Sequence, residues 1–388
     1  MIKDRDFIVF SDDWGRHPCS CQHLIQRFLP HNRVLWVNTI GMRPPRVSLY
    51  DFRRSFEKLG SWLTPSADLP GNLSIANPFS IPYNMVPAVR KLNARIGLSA
   101  LKSKVRQSGL MNPIVITTLP NTTDFIGQLD EVLSIYYCVD EFAAYPDLPH
   151  KLVMEMEGEL LKKVDLVITT SGELQKRKSN GIRSSLLIPH GVDVEHFAGR
   201  PTAATPVTAA LAVLPRPVVG FFGVINDWVD LALIDRMAGL RKDWSWVLIG
   251  PHQTNTDILR KHSNVVLLGK VPYETLPGYA ACFDVGIIPF VVNDLTINVN
   301  PLKLLEYLAC GLPVVSTPIP EAAKYGKLVS IAGTPEAFVS AIESLLVENT
   351  PENITERISV ARSNSWDSRA EVLSAHIDQM LETRTQCV

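Results

Sequence analysis

Short apolar runs of the kind that build fully buried strands recur along this chain, each separated from the next by a stretch with helical spacing. In the first part they are Asp6–Ser11, Arg33–Asn38, Pro113–Thr117, Ser134–Cys138 and Leu166–Thr169, followed by Ser185–Pro189, with a helix around Gln22–Leu29. Strand and helix in alternation predict parallel βαβ units. Between Ala198 and Arg216 the composition shifts to Pro, Ala and Thr, as in a linker. The pattern then restarts with Val218–Phe222, a helix near Leu231–Leu240, Trp246–Gly250, Asn264–Leu268, Val285–Phe290 and a helix over Pro301–Cys310, and Leu312–Ser316 is read as closing the run.

The expectation is an α/β chain of two Rossmann-like parallel-sheet domains facing across a cleft, with a ligand at the carboxyl ends of the strands. The divisions are an N-terminal domain over 1–197, a linker region over 198–216 and a C-terminal domain over 217–365. A length of 388 residues suits two domains, and 46% hydrophobic against 20% charged residues excludes a disordered chain. A net charge of −1 argues against a globally basic nucleic-acid binder. No apolar run reaches the ~18 residues of a membrane span, and the opening stretch lacks the ~7–15-residue apolar region of a secretory leader. A soluble, cytoplasmic protein is expected, and its six cysteines fit free thiols better than a disulfide framework. Cys19 and Cys21 form a C-x-C with no second pair at zinc-finger spacing, so no metal site is expected there.

Charge is unevenly spread. Residues 1–195 hold 23 Lys/Arg against 20 Asp/Glu, and the remainder 15 against 19. From Val86 to Leu110 there are six basic residues (Arg90, Lys91, Arg95, Lys102, Lys104, Arg106) and no acidic one, while Val89, Leu92, Ile96, Ala100 and Leu101 recur at helical spacing. Such a segment is either a solvated helix face or a surface for anionic lipid over 86–110. A second mixed stretch, Leu49–Leu63, combines Arg53, Arg54 and Lys58 with aromatic residues.

Chemistry concentrates in Asn298–Ser316 (NVNPLKLLEYLACGLPVVS). Asn300 suits a helix N-cap and Pro301 the first helical position, so unpaired N–H groups there would attract phosphate. Lys303 stands where a cation opposes the helix dipole, which implies an anionic partner. Glu306, one turn on, can accept hydrogen bonds from ribose hydroxyls; the plainer alternative is a surface pair between Lys303 and Glu306. In the first half, the run Tyr136–Cys138 leads into Asp140 and Glu141, carboxylates at the carboxyl end of a strand. One of them can serve as general base, Asp140 preferred to Glu141, or Asp140 simply caps the following turn. The first βα turn holds Asp12 and Asp13, a second candidate base, with Trp14 and Gly15, where glycine permits close backbone approach. His17 and His23 read as structural, and His190 either lines the cleft or makes a hinge hydrogen bond.

The segment 298–316 resembles the nucleotide-sugar-binding helix of glycosyltransferases of the GT-B fold. Further pieces match that family in order: Ile188–Asp193 with Phe197, Gly220–Gly223, Trp246–Gly250, Leu268–Val271, Asp284–Pro289, and Ser365–Asp367 before a helix over 366–388 that returns to the N-terminal domain. The chain is similar to bacterial cell-surface polysaccharide enzymes of the teichuronic-acid type, and Asp140 to the base of inverting, glucuronosyltransferase-like members. The resemblance implies a nucleotide-diphosphate sugar donor held by Lys303, Glu306, Asn298, Asn300, Gly223 and His190. It also implies a saccharide or lipid-linked acceptor near Trp14 and Gly15, no metal and no other cofactor. Two positions depart from the retaining branch: Asn298 stands where a glutamate is usual, and Val224–Trp228 lacks the Arg and Lys that hold the diphosphate. A nucleotide-sugar epimerase of the same fold and a catalytically silent binding subunit are the alternatives.

Overall fold

A computed structural model describes residues 1–15, 19–38, 69–78, 81, 84, 86–198 and 206–386. His17, the Leu49–Leu63 stretch and Cys387 lie outside the described residues. The chain divides into two compact units, residues 1–188 with 370–388, and residues 189–369. The division therefore falls after Ile188 rather than within 198–216, where a helix, Pro206–Ala212, forms instead.

Unit 1 is built on seven parallel strands: β1 (Asp6–Phe10), β2 (Arg33–Val37), β3 (Leu73–Ala76), β4 (Ile114–Thr117), β5 (Leu133–Cys138), β6 (Leu166–Thr169) and β7 (Ser185–Leu187). Their order is β3-β2-β1-β4-β5-β6-β7, so the winding reverses between β1 and β4. β1, β4, β5 and β6 are buried along their whole length, as strands covered on both faces must be. Asp6 helps to set register at the opposite edge. Its carboxylate accepts from Arg33 at 2.8 and 2.7 Å and from the Met111 N–H at 2.6 Å, tying the starts of β1 and β2 to the approach to β4. β3 lies outside the expected strands, because Leu73–Ala76 is short and only half-buried beyond its first residue.

Unit 2 repeats the plan with β8 (Val218–Phe222), β9 (Ser245–Ile249), β10 (Val265–Gly269), β11 (Val285–Ile288), β12 (Val314–Ser316) and β13 (Val329–Ile331). The order is β10-β9-β8-β11-β12-β13, all parallel, reversing between β8 and β11. β13 extends the sheet beyond the strand expected to close it; three residues with one facing solvent leave little apolar signal. The core packs Trp246, Phe221, Val285 and Tyr307 into one apolar cluster. Gly220 is required for that closeness: a Cβ built there would fall 2.0 Å from the Phe283 ring. The helix Trp366–Gln386 begins in unit 2, and its residues from Ala370 onward pack as part of unit 1.

The basic helix is Pro87–Gln107, and its apolar residues divide between its packed side and the surface. Leu92 and Ile96 are exposed, while Asn93, Gly97 and Leu101 are the buried positions. Polar ties set this rotation rather than grease. The Asn93 amide exchanges hydrogen bonds of 2.8 Å each with the Ile81 N–H and carbonyl, and Gly97 lets the Phe125 ring approach its backbone. Arg90 forks onto Asp124 at 2.8 and 2.9 Å and reaches Glu159 at 2.6 Å. Among the described residues no helix is long and apolar enough to cross a membrane.

Two glycine substitutions separate close packing from helix propensity. Gly220→Ala is expected to lower stability by about 1–3 kcal/mol through overpacking. Gly158→Ala, in the helix His150–Lys163 with open space around it, is expected to raise stability by roughly 0.5–1 kcal/mol. Urea unfolding of both variants measures the two signs.

Candidate functional site

In a doubly wound sheet the two loops that diverge at the reversal of strand order leave a crevice for a ligand. In unit 2 these loops follow β8 and β11. β8 runs into Gly223 at φ +135°, and a Cβ on the neighbouring Gly250 would fall 1.9 Å from the Gly223 carbonyl oxygen. The turn is therefore backbone packed on backbone. β11 runs through Pro289 and Phe290 into a loop closed by the short 3-10 turn Thr296–Asn298. Asn293 accepts from the Leu295 and Thr296 N–H groups at 3.0 and 3.1 Å, and Asn298 donates to the Asp294 carbonyl at 2.6 Å.

The helix that follows is Leu302–Ala309, one residue later than expected, with Pro301 at its N-cap and no side-chain cap. The residue before a proline is held away from helical geometry. Asn300 consequently turns its amide toward the buried Glu321, at 3.4 Å, instead of capping. Tyr307 docks this helix on the sheet. Its hydroxyl accepts from the Phe222 N–H at 3.1 Å and its ring fills the space over Gly286, where a Cβ would come within 2.7 Å.

Docking Tyr307 fixes where Lys303 and Glu306 point. The Lys303 ammonium lies 5.2 Å from the ring centre of Phe221 and 4.4 Å from that of Phe290, and its Cε approaches the Gly223 position to 3.1 Å. Lys303, Gly223 and the two loops at the reversal thus come together. Among the described residues Lys303 and Glu306 do not form an ion pair, so the plain surface-pair alternative is not what the helix adopts. Burial pushes the Lys303 ammonium down to about 8, against the pull of Glu306, and pushes Glu306 up to about 7, against the pull of Lys303. A half-buried cation lying over ring faces is only partly compensated, and an anion is the ligand that would complete it. His190 is buried, edge-on to Trp366 at 6.2 Å, and burial with Arg369 lowers it to about 3, so it is neutral.

In unit 1 the reversal lies between β1 and β4. Trp14 stands edge-on to the buried Trp36 at 4.8 Å, its N–H donating to Asn38 at 3.0 Å; Trp36 in turn donates to the Asp12 carbonyl at 2.9 Å. Gly15, at φ +76°, donates to Gln22 at 3.3 Å, while Asp13 is half-buried beside it. Asp140 follows β5 and accepts from the Tyr145 hydroxyl at 3.1 Å. Burial pushes its carboxyl up to about 6; the Tyr145 bond opposes this, and the charges of Asp12 and Glu141 add to it. Such a group is ionised near neutral pH yet basic enough to take a proton. Glu141 has a different environment: its carboxylate is buried and receives the Lys178 ammonium at 2.8 Å. Lys178, Glu157 and the rings of Phe221 and Phe290 carry no signal in the sequence, because their partners are distant along the chain.

Comparison with known proteins places this geometry. Residues 216–348 match the family described as Glycosyl transferases group 1. A Bacillus subtilis (strain 168) protein named as a teichuronic acid biosynthesis glycosyltransferase, TuaH, is 29% identical over 254 residues, spanning 60% of this chain and 64% of that protein. Just under two thirds of the relative's length is therefore covered. HepE of Anabaena, solved in complex with UDP, superimposes with a TM-score of 0.67 at 12% identity, over 97% of this chain and 100% of that one. A trehalose 6-phosphate synthase from Burkholderia multivorans gives 0.66 at 13% identity, over 99% and 100%. The fold is GT-B, two Rossmann-like parallel-sheet domains, as expected from the sequence.

The coupling within helix 302–309 can be tested by titration. Lys303→Met removes the cation that opposes the upward shift of Glu306, so the Glu306 midpoint is expected to rise above about 7. NMR titration of side-chain carboxyl carbons measures it; a midpoint that stays or falls contradicts the coupling.

Proposed function

We propose that this chain is a glycosyltransferase that moves a sugar from a nucleotide-diphosphate sugar to a saccharide or lipid-linked acceptor in cell-surface polysaccharide synthesis. The observation that carries the reading is the Lys303 ammonium, set on the rings of Phe221 and Phe290 beside the Gly223 turn. The group 1 match over 216–348 covers that element, and the UDP complex of HepE and the name of TuaH point to the same chemistry.

In this reading Lys303 and the backbone N–H groups near Gly223 and Leu302 take the charge of the diphosphate, so that leaving-group stabilisation needs no metal. Glu306 accepts from the ribose hydroxyls. Asn298 and Asn300 brace the loop rather than contact the donor, and neutral His190 supports the start of unit 2. The acceptor lies by Trp14, Gly15 and Asp13. Asp140 removes the proton from the acceptor hydroxyl, whose oxygen attacks the anomeric carbon. The bond from that carbon to the diphosphate oxygen breaks, the nucleoside diphosphate departs with the electron pair, and configuration inverts. The bond from Lys178 favours a supporting role for Glu141 over that of base.

A lipid-linked acceptor would place the enzyme at the cytoplasmic face of the membrane, and helix 87–107 suits that setting. Its outward Leu92 and Ile96 each follow an exposed basic residue, Lys91 and Arg95. Apolar insertion and cation attraction of about 1 kcal/mol per nearby basic residue then act together.

Lys303→Ala is expected to weaken nucleoside-diphosphate binding roughly 10–100-fold, the value of a charge-assisted contact. Asp140→Asn is expected to spare donor affinity while lowering kcat by about 100-fold or more. In the parent enzyme kcat should fall as pH drops through about 6, because the base must be unprotonated. Calorimetry with UDP and other nucleoside diphosphates, and product analysis with and without acceptor, provide the test. Sugar rearranged without acceptor would mean an epimerase, and donor bound but never consumed would mean a silent subunit. For the membrane, a Lys91→Glu/Arg95→Glu variant should lose most sedimentation with phosphatidylglycerol vesicles; unchanged sedimentation removes helix 87–107 from that role.

A further inference from the structure

Behind Asp140 lies a buried charge cluster that the mechanism above does not use. Lys178, the last residue of the helix Gly172–Lys178, donates to Glu141 and to Glu157, each at 2.8 Å. All three side chains are at most 8% exposed. The Tyr136 hydroxyl donates to the second oxygen of Glu157 at 2.8 Å, and the Cys138 thiol lies 3.9 Å from that same oxygen. The cluster thus holds two carboxylates against one ammonium. Burial alone would lower Lys178, but Glu157, Cys138 and Glu141 outweigh it and raise it, so the cation is retained. Ion clusters of this kind contribute little to stability compared with apolar packing of equal volume. Their value lies in fixing one arrangement.

The arrangement fixed here is the loop from Val139 to Tyr145. The Val139 carbonyl accepts from Thr170 at 3.0 Å, the Asp140 carbonyl accepts from the Cys138 thiol at 3.4 Å and the Phe142 N–H at 3.1 Å, and Ala143 is tied to His150 at 2.7 Å. Glu141 is the loop's one charged side chain gripped by the cluster, and it is the immediate neighbour of Asp140. We propose that Lys178, Glu157 and Glu141 form a positioning unit for Asp140, in which Lys178 clamps the loop through Glu141 and the second carboxylate leaves the cluster with net negative charge beside the base.

This rests on the reading of Asp140 as general base. The ionisable groups facing Asp140 are Asp12 from the loop after β1, Tyr145 and Glu141 from its own loop; Glu157 and His150 of helix 150–163 and Lys178 of helix 172–178 stand behind them. Tyr145 holds the carboxyl in place and favours its ionised form, while Asp12 and Glu141 favour the protonated form. Removing the Glu141 charge therefore has a definite sign.

The test uses Glu141→Gln, Lys178→Met and Lys178→Arg in the full-length protein. Glu141→Gln leaves a neutral Lys178–Glu157 pair and should fold. Its Asp140 midpoint, followed by carboxyl-carbon NMR with Asp140→Asn as the assignment control, should move down by about half a pH unit. The acid limb of kcat should move with it, and kcat should fall while donor KM stays within about twofold. Lys178→Met should lower Tm and cut kcat about tenfold or more, and Lys178→Arg should restore part of kcat at unchanged donor KM. A folded Glu141→Gln protein with an unmoved Asp140 midpoint and normal kcat overturns the proposal. If the parent protein transfers no sugar, the glycosyltransferase reading fails by itself, and the NMR midpoint still decides whether the cluster acts on Asp140.

Discussion

A lysine ammonium half-buried over the faces of two phenylalanines gives up part of its hydration, and each ring returns only about 0.5–2 kcal/mol. The imbalance decides what unit 2 can do, because Lys303 has no carboxylate partner among the described residues. The strain of this arrangement appears as the lowered proton affinity of Lys303, to about 8. An incoming diphosphate would reverse it. Everything that holds the lysine there is apolar or backbone: Tyr307 seating the helix on Gly286, Gly250 packed on the Gly223 carbonyl, and Pro301 setting the helix start. The site is thus rigid in its frame and short of negative charge at a single point.

Unit 1 shows the complementary case. Asp140 and Glu141 are adjacent, of the same chemistry and at the end of the same strand, yet their surroundings separate them. Glu141 turns inward and is held by the Lys178 ammonium. Among the described residues the Asp140 carboxylate accepts from a tyrosine hydroxyl, and burial keeps it basic, at about 6. Two carboxylates driven apart in this way are a common mark of a site where one does chemistry and the other supports it.

Much of this is readable in the sequence, for a physical reason. Fully buried parallel strands need continuous apolar runs, so β1, β4, β5, β8 and β9 announce themselves, and the carboxyl ends of those strands name the loops that matter. Asp140 can be picked out because it stands just past such an end, and Lys303 and Glu306 because they fall in the first turns of a helix whose start is marked by Asn300 and Pro301. β3 and β13 escape, being short and only partly buried. The N-cap escapes because Pro301 overrides the preference of Asn300 and sends that side chain to Glu321. Lys178 and Glu157 cannot be found at all, since their meaning depends on a partner across the fold rather than on a local pattern.

The helix Pro87–Gln107 carries the same lesson to the surface. Periodicity gives this helix an apolar stripe but does not say whether packing or the surface receives it. Here the packed side offers Asp124 to Arg90, and the Ile81 backbone to Asn93. Those groups need partners at defined angles, and an unsatisfied buried polar group costs more than one exposed leucine. The helix accordingly turns Gly97 and Asn93 in, and Leu92 and Ile96 out. A rotation chosen by polar geometry leaves apolar residues at the surface beside Lys91 and Arg95, and the proposal of a membrane-facing role for this helix rests on that pattern.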